Sequence, residues 1–240
     1  IMEILATIFE YDKMVLYKND GSENFTENTI NSSTDGVHHA ITVDLDSDGD
    51  IDIISASEID DKVAWYENDG NESFTAQTIT TSADAARSVY AIDVDNDGDI
   101  DVLSASTEDD KIAWYENDGS ESFTARTITA SADGAYSVYA ADMDNDGDMD
   151  VLSASYNADA IAWYENTAAA PGTPTFTATT ISTTVDGASV IYAADIDADG
   201  DIDILSGEDA NTGADDNIRW HLSTLTTSGG AGPGFTSIYD

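Results

Sequence analysis

Apolar and polar residues alternate along this chain in short runs separated by clusters of Asp, Asn, Gly, Ser and Thr. Ser88 to Asp93 (SVYAID) and Ile100 to Ser106 (IDVLSAS) are two such runs, followed by Lys111 to Asn117 (KIAWYEN) and Ser122 to Ile128 (SFTARTI). A period of two with many Val, Ile, Thr, Tyr and Trp residues predicts β-strands, because successive side chains of a strand face opposite ways and branched or aromatic groups fill a pleated surface. No segment sustains apolar residues at i, i+3 and i+4, so no helix is predicted. Asn117-Asp118-Gly119, between the third and fourth runs, is a hairpin-turn signal.

The four-run unit repeats. KVAWYENDG begins at Lys62, KIAWYENDG at Lys111, AIAWYENTA at Ala160 and NIRWHLSTL at Asn217, with a weaker copy, MVLYKNDG, at Met14. An acidic segment joins the first and second runs at Asp44, Asp93, Asp142 and Asp195, with spacings of 49, 49 and 53 residues. Four short strands in a unit of that size predict the blade of a β-propeller. The expected fold is therefore all-β: one propeller-like repeat domain of four-stranded antiparallel blades, with units at 1–37 (partial), 38–86, 87–135, 136–188 and 189–240. The small residues Ala91, Ser104, Ala105 and Ser106 suit crowded inner strands, whereas Trp65, Trp114, Trp163 and Trp220 suit the wider space between blades.

The ends depart from the pattern. Glu3 falls where Asp52 stands one unit later, so the first unit lacks its acidic segment and innermost strand, and the strand Glu3 to Phe9 is expected to present an open edge. Such an edge invites a further strand, from the same polypeptide or from another molecule. Pro171-Gly172-Thr173-Pro174 replaces the Asn-Asp-Gly turn, Asn211 to Asp216 lengthens a connection, and SGGAGPG (Ser228 to Gly234) interrupts the last unit.

Charge changes the picture most. The chain carries 49 acidic residues against 7 Lys and Arg, for a net charge of −42. Nucleic acid and anionic membrane surfaces are excluded as partners, since both require a basic face. No apolar run reaches the roughly 18 residues of a membrane span, and Glu3 stands where a signal peptide would carry a base, so the chain reads as a mature or excised piece. Without cysteine there is neither a disulfide framework nor a thiolate metal site. Asn24, Asn31 and Asn71 lie in glycosylation triplets, weak signals in a chain rich in Ser and Thr.

Twenty of the acids lie in four segments: Asp44, Asp46, Asp48, Asp50 and Asp52; Asp93, Asp95, Asp97, Asp99 and Asp101; Asp142, Asp144, Asp146, Asp148 and Asp150; Asp195, Asp197, Asp199, Asp201 and Asp203. Numbering each segment from its first Asp, carboxylates stand at positions 1, 3, 5, 7 and 9, with Gly at position 6. Hard oxygen donors at alternate positions around a tight turn are what Ca²⁺ needs to complete six to eight ligands, and Mg²⁺ fits less well because it holds its waters in strict octahedral geometry. Side chains at positions 1, 3, 5 and 9 and the backbone carbonyl at position 7 form the expected shell, one ion per segment and about four in all. An EF-hand is rejected: position 12 is Ser104 rather than Glu, and strands flank the loop.

DxDxDGDxD between two strands at blade spacing resembles the calcium loops of FG-GAP/VCBS-type repeats, found in integrin α-subunit propellers and in secreted bacterial propeller proteins and adhesins. The resemblance spans nearly the whole chain. It implies Ca²⁺ held by the first, second, third and fifth Asp side chains and the backbone of the fourth, in an extracellular or cell-surface protein where calcium is abundant. Literal FG and GAP signatures are absent, so the VCBS-like branch is the nearer match.

No nucleophile elbow, Ser/His/Asp arrangement or phosphate loop occurs. His38, His39 and His221 do not recur with the period and are expected at the surface or in loops, so no enzyme is expected. The function expected is a non-enzymatic, calcium-stabilised adhesive or assembly module that binds a protein partner or self-associates through its open edge. The alternative is a lectin with glycan pockets at blade junctions.

Overall fold

In the computed structural model every alternating run forms a strand. The structure describes residues 3–167, 172, 174–209, 217–224 and 234–238. The lengthened connection Asn211 to Asp216 and most of Ser228 to Gly234 lie outside them, as do Pro171 and Thr173.

Five antiparallel sheets follow one another in chain order. The first has three strands: β1 (Ile4–Ile8), β2 (Lys13–Asn19) and β3 (Phe25–Asn31). The second holds β4 (Val37–Val43), β5 (Asp52–Ser57), β6 (Lys62–Asn68) and β7 (Phe74–Thr80). The third holds β8 (Ala86–Ile92), β9 (Asp101–Ser106), β10 (Lys111–Asn117) and β11 (Phe123–Thr129). The fourth holds β12 (Ala135–Ala141), β13 (Asp150–Ser155), β14 (Ala160–Asn166) and β15 (Phe176–Ser182). The fifth holds β16 (Ala188–Ala194), β17 (Asp203–Glu208), β18 (Ile218–Thr224) and β19 (Gly234–Ile238). A single 3-10 turn at Phe9–Tyr11 is the one helical element among the described residues, and it lies in a connection.

Period-two alternation along the third strand of each sheet places the core between sheets. Trp65 packs toward the third sheet, against Ala86, Val89 and Val102, in a cluster that also takes in Tyr115 from β10. Trp114, beside Tyr115 in sequence, faces the opposite way, into a cluster with Val138, Ala140 and Tyr164 of the fourth sheet. Trp163 repeats the arrangement against Ala188 and Ile191 of the fifth. The third strands of the second, third and fourth sheets thus send an indole to the next sheet, and the tyrosine that follows it packs in the cluster shared with the preceding one. Ser104, Ala105 and Ser106 lie on β9, DVLSAS, which is buried at every position, whereas Ala91 on β8 is half-buried.

Histidine corrects one expectation. None of the three lies in a loop: His38 and His39 are on β4, and His221, on β18, is fully buried. His221 replaces the tyrosine of earlier repeats, and its Nε2 meets the Ser206 hydroxyl at 2.9 Å, as Tyr115 meets Ser104 and Tyr164 meets Ser153 at 3.2 Å.

A second period-49 aspartate series latches sheet to sheet. Asp12, Asp61, Asp110 and Asp159 take left-handed backbone angles of 51–54°. Their Oδ1 atoms accept the N–H of Gly36, Ala85, Gly134 and Gly187, at the entry of the next sheet, at 2.9–3.0 Å.

Trp114 is 2 % exposed, and emptying so large a buried site leaves a cavity. Trp114→Ala should lower unfolding free energy by about 3–5 kcal/mol. Thr127→Ala, on the exposed face of β11, should change it by less than about 0.5 kcal/mol. Denaturant unfolding of the two variants side by side checks the assignment of the indole to the inter-sheet core.

Candidate metal centres

Each acidic segment is the loop between the first and second strands of its sheet, and all four fold alike despite different residues at positions 2, 4 and 8. The residue at position 4, Ser47, Asn96, Asn145 or Ala198, is left-handed with φ of 59–63°. Gly49, Gly98, Gly147 and Gly200 at position 6 have φ of 96–102°, which residues with a Cβ rarely adopt, so the turn requires glycine there.

Backbone donors pull the carboxylates inward. The glycine N–H donates to Oδ2 at position 1, to Asp44, Asp93, Asp142 and Asp195, at 3.0–3.1 Å. The N–H at position 5 donates to Asp46, Asp95, Asp144 or Asp197 at 3.1–3.3 Å. The N–H at position 7 donates to Asp48, Asp97, Asp146 or Asp199 at 2.8–2.9 Å.

Position 9 anchors the loop. Asp52, Asp101, Asp150 and Asp203 are fully buried. Oδ2 of each accepts the N–H of position 2, from Leu45, Val94, Met143 or Ile196, at 3.0–3.2 Å. Oδ1 accepts a third-strand N–H, from Asn68, Asn117, Asn166 or Ser223, at 2.7–2.8 Å. Burial pushes the Asp101 and Asp150 carboxyls up to about 7, against the opposing pull of those backbone donors. Asp46, Asp95 and Asp144 are also raised, by burial first, with the charge of neighbouring aspartates adding to it.

Position 7 points elsewhere. The Asp50 and Asp99 carboxylates lie against Gly70 and Gly119 of the adjacent hairpin, so close that a Cβ on either glycine would come within 2.4 Å of Oδ2. Asp148 Oδ1 accepts a hydrogen bond from Asn96. None of the position-7 side chains joins the converging groups, which leaves that residue its backbone to offer.

Oxygens converge on one point in every loop. Asp44, Asp46 and Asp48, then Asp93, Asp95 and Asp101, then Asp142, Asp144 and Asp146, then Asp195, Asp197 and Asp199 each bring ligand atoms within 4.8 Å of one another. Positions 1 and 3 always take part; the third member is position 5 in three loops and position 9 in the second. Asp95, 3 % exposed, keeps Oδ2 without a partner, and so does the buried Oδ1 of Asp44. Buried, unpaired anionic oxygen is costly, and an all-oxygen donor set fits a hard cation. The protein supplies no counter-charge of its own. All seven basic residues are paired elsewhere: Lys13 with Glu27, Lys18 with Glu72, Lys62 with Asp60, Arg87 with Glu58, Lys111 with Asp109, Arg126 with Glu116 and Arg219 with Glu208.

Sequence reading missed the asparagines at the ends of the third strands. Asn68, Asn117 and Asn166 donate from Nδ2 to the carbonyl at position 8 of their own loop, Ile51, Ile100 or Met149, at 3.0–3.3 Å. Their constant offset of 16 residues from position 9 was the available signal.

A separate groove of about 410 Å³ runs along the first strands, with His38, Arg87, Tyr90, Tyr136, Tyr139 and Tyr192 among its walls. Tyr139 lies between Tyr90 and Tyr192, with ring centroids 4.5 and 5.0 Å away and ring planes tilted by 43° and 57°. Among the described residues no Asp or Glu lines the groove. Burial holds His38 and His39 below the usual imidazole range, so both are neutral near pH 7.

Five sequential antiparallel sheets, four of them carrying the same acidic loop, define a β-repeat protein. The chain belongs to the family described as FG-GAP-like repeat, which it matches three times, over residues 44–104, 93–153 and 142–206. A search of curated proteins returns no match. Among solved structures, the chain is similar to a functionally unknown protein from Desulfotomaculum acetoxidans, with TM-score 0.64 and 10% identity, over 98% of this chain and 65% of that one. It thus spans just under two thirds of that protein's length. It is also similar to a luciferin-regenerating enzyme, with TM-score 0.55 and 10% identity, over 93% of this chain and 75% of the other. At such identity the likeness concerns the fold alone.

Anchor and ligand positions separate experimentally. In chelator, Asp101→Ala strips acceptors from two buried N–H groups and should cost about 2–5 kcal/mol. Asp97→Ala, at an exposed position, should cost less than about 1 kcal/mol in chelator, yet remove one bound ion by native mass spectrometry. An undiminished ion count in Asp97→Ala would contradict the assignment of position 5.

Proposed function

We propose that the chain is a non-enzymatic, extracellular calcium-binding module whose sheets are the blades of a propeller-like array, serving adhesion or assembly. The observation that carries this reading is the absence of any basic residue at four superimposable carboxylate loops, so that mobile cations must supply the counter-charge. Asp side chains at positions 1, 3, 5 and 9 and the carbonyl at position 7 would hold Ca²⁺, which closes the loop and fixes the first strand against the second. Four divalent ions would bring the net charge from −42 to −34. At free calcium about 100 times Kd each site would add about 2.7 kcal/mol, and four independent sites about 11 kcal/mol. That equals the whole stability of an ordinary domain, so the ions do the work that disulfides do in other extracellular proteins.

Partner binding is proposed at the first sheet. Among the described residues, its three strands leave β1 paired on one side, by β2, beside a groove of about 380 Å³ walled by Leu5, Leu16, Ile53 and Phe74. An added strand from a protein partner or a second copy would cover both. The tyrosine groove favours a second reading, glycan binding, since aromatic rings beside polar side chains such as Arg87 and His38 suit sugar faces. It replaces the blade-junction indoles in that role, because Trp65, Trp114 and Trp163 are buried.

Chelation should lower the melting temperature sharply, and Ca²⁺ should restore it better than Mg²⁺; calorimetric melts with and without chelator check this, and an unchanged melt sinks the calcium reading. Sedimentation in millimolar Ca²⁺ should show larger species that disappear in Leu5→Pro when its calcium-dependent melt is retained. If instead the wild type stays monomeric and is retarded on an oligosaccharide column, and Tyr139→Ala abolishes the retardation, the glycan reading replaces the edge.

A further inference from the structure

The four loops are alike within themselves but not in what joins them. Between the second loop, Asp93–Asp101, and the third, Asp142–Asp150, three hydrogen bonds cross from one repeat to the next. Asn96 Nδ2 donates to Asp148 Oδ1 at 2.9 Å. Asn166, 1 % exposed, donates from Nδ2 both to Met149 O of its own loop at 3.3 Å and to Val94 O of the preceding loop at 3.2 Å. Gly172 N–H, from the connection in which Pro171-Gly172-Thr173-Pro174 replaces the usual turn, donates to Asp95 O at 2.8 Å.

The same repeat positions elsewhere behave differently. Asn68 and Asn117 donate only to their own loops. Ser47 stands in Asn96's place in the first loop and is too short for the same reach, and Ser223 stands in the fifth sheet where Asn166 stands in the fourth. Val94 lies between Asp93 and Asp95, both of the second loop's converging set, and Met149 lies beside Asp150, the anchor of the third loop, so the buried Asn166 amide ties the backbones of both loops to one rigid group.

We propose that the second and third loops form one coupled two-ion unit, in which an ion in either loop tightens the other, with Asn96 and Asn166 as the positioning residues that transmit the effect. The proposal rests on the calcium reading above. An empty loop holds carboxylates that repel one another, and filling it draws them together and fixes Val94, Asp95 and Asn96. Those three residues carry the bridges, so the geometry that suits an ion in one loop is already set in the other. A coupling of roughly five- to tenfold in affinity lies within the usual range for linked sites.

The test is a calcium titration followed by the backbone N–H resonances of Gly49, Gly98, Gly147 and Gly200, each of which reports its own loop. With Asp97→Ala disabling the second loop, the Gly147 midpoint should move to roughly five- to tenfold higher calcium while that of Gly49 stays put. Asn96→Ser with Asn166→Ser should abolish that dependence while leaving calcium binding in both loops. Asn96→Ser alone, which puts into the second loop the serine that Ser47 already carries at φ 61°, should weaken it without disturbing the fold. A Gly147 midpoint within twofold of wild type in Asp97→Ala, or a shift that survives loss of both asparagines, overturns the coupling alone. No calcium-dependent movement at any of the four glycines overturns the calcium reading and the coupling with it.

Discussion

Each acidic loop turns on one buried carboxylate. Asp52, Asp101, Asp150 and Asp203 accept a hydrogen bond from the start of their loop and another from the end of the third strand, so a single side chain closes the loop and staples it to the sheet. An acid in that place carries a large desolvation cost, visible in the raised Asp101 and Asp150 carboxyls. The two N–H donors offset part of it, and a cation bound by the converging oxygens would offset more. Loop shape and strand pairing are therefore coupled through one residue.

The sheets are joined by a different principle. Alternation along the third strand sends Trp one way and Tyr the other, so every interior sheet contributes to two cores and neither core closes without its neighbour. The left-handed aspartates Asp61, Asp110 and Asp159 add a polar latch between the exit of one sheet's second strand and the entry of the next sheet. Nearest-neighbour burial of this kind makes the array additive along the chain, which is why a repeat can differ from its neighbours locally without loss of the whole. The tyrosine groove and the Asn96–Asn166 bridge are two such local differences.

Much of the fold was legible from residue spacing. The 49-residue recurrence of AWYENDG and DxDxDGDxD fixed the number of sheets, the order of strands and the loop that carries the acids, because a repeated sequence can only repeat its local structure. The sequence places Asp101 in the expected metal shell, but not the two hydrogen bonds it accepts from Val94 and Asn117, since one partner lies 16 residues away on another strand. The latch residues Asp12, Asp61, Asp110 and Asp159 recur with the same period and passed unnoticed among so many acids. The histidines were misplaced because an imidazole substituting for a buried tyrosine, as at His221 against Ser206, has no signature in a linear pattern.

Sequence by itself determined the all-β repeat, the four acidic loops and the excess of negative charge, since strand period, glycine-dependent turns and charge are properties of neighbours along the chain. Only the tertiary structure decided that all seven basic residues are engaged away from those loops, that Asp95 and Asp44 hold unpartnered oxygens, that tyrosines from three sheets meet in one groove, and that Asn166 reaches Val94 across 72 residues. These are relations between repeats, and a repeat cannot specify them alone: they depend on how far sheet packing brings side chains that are dozens of residues apart.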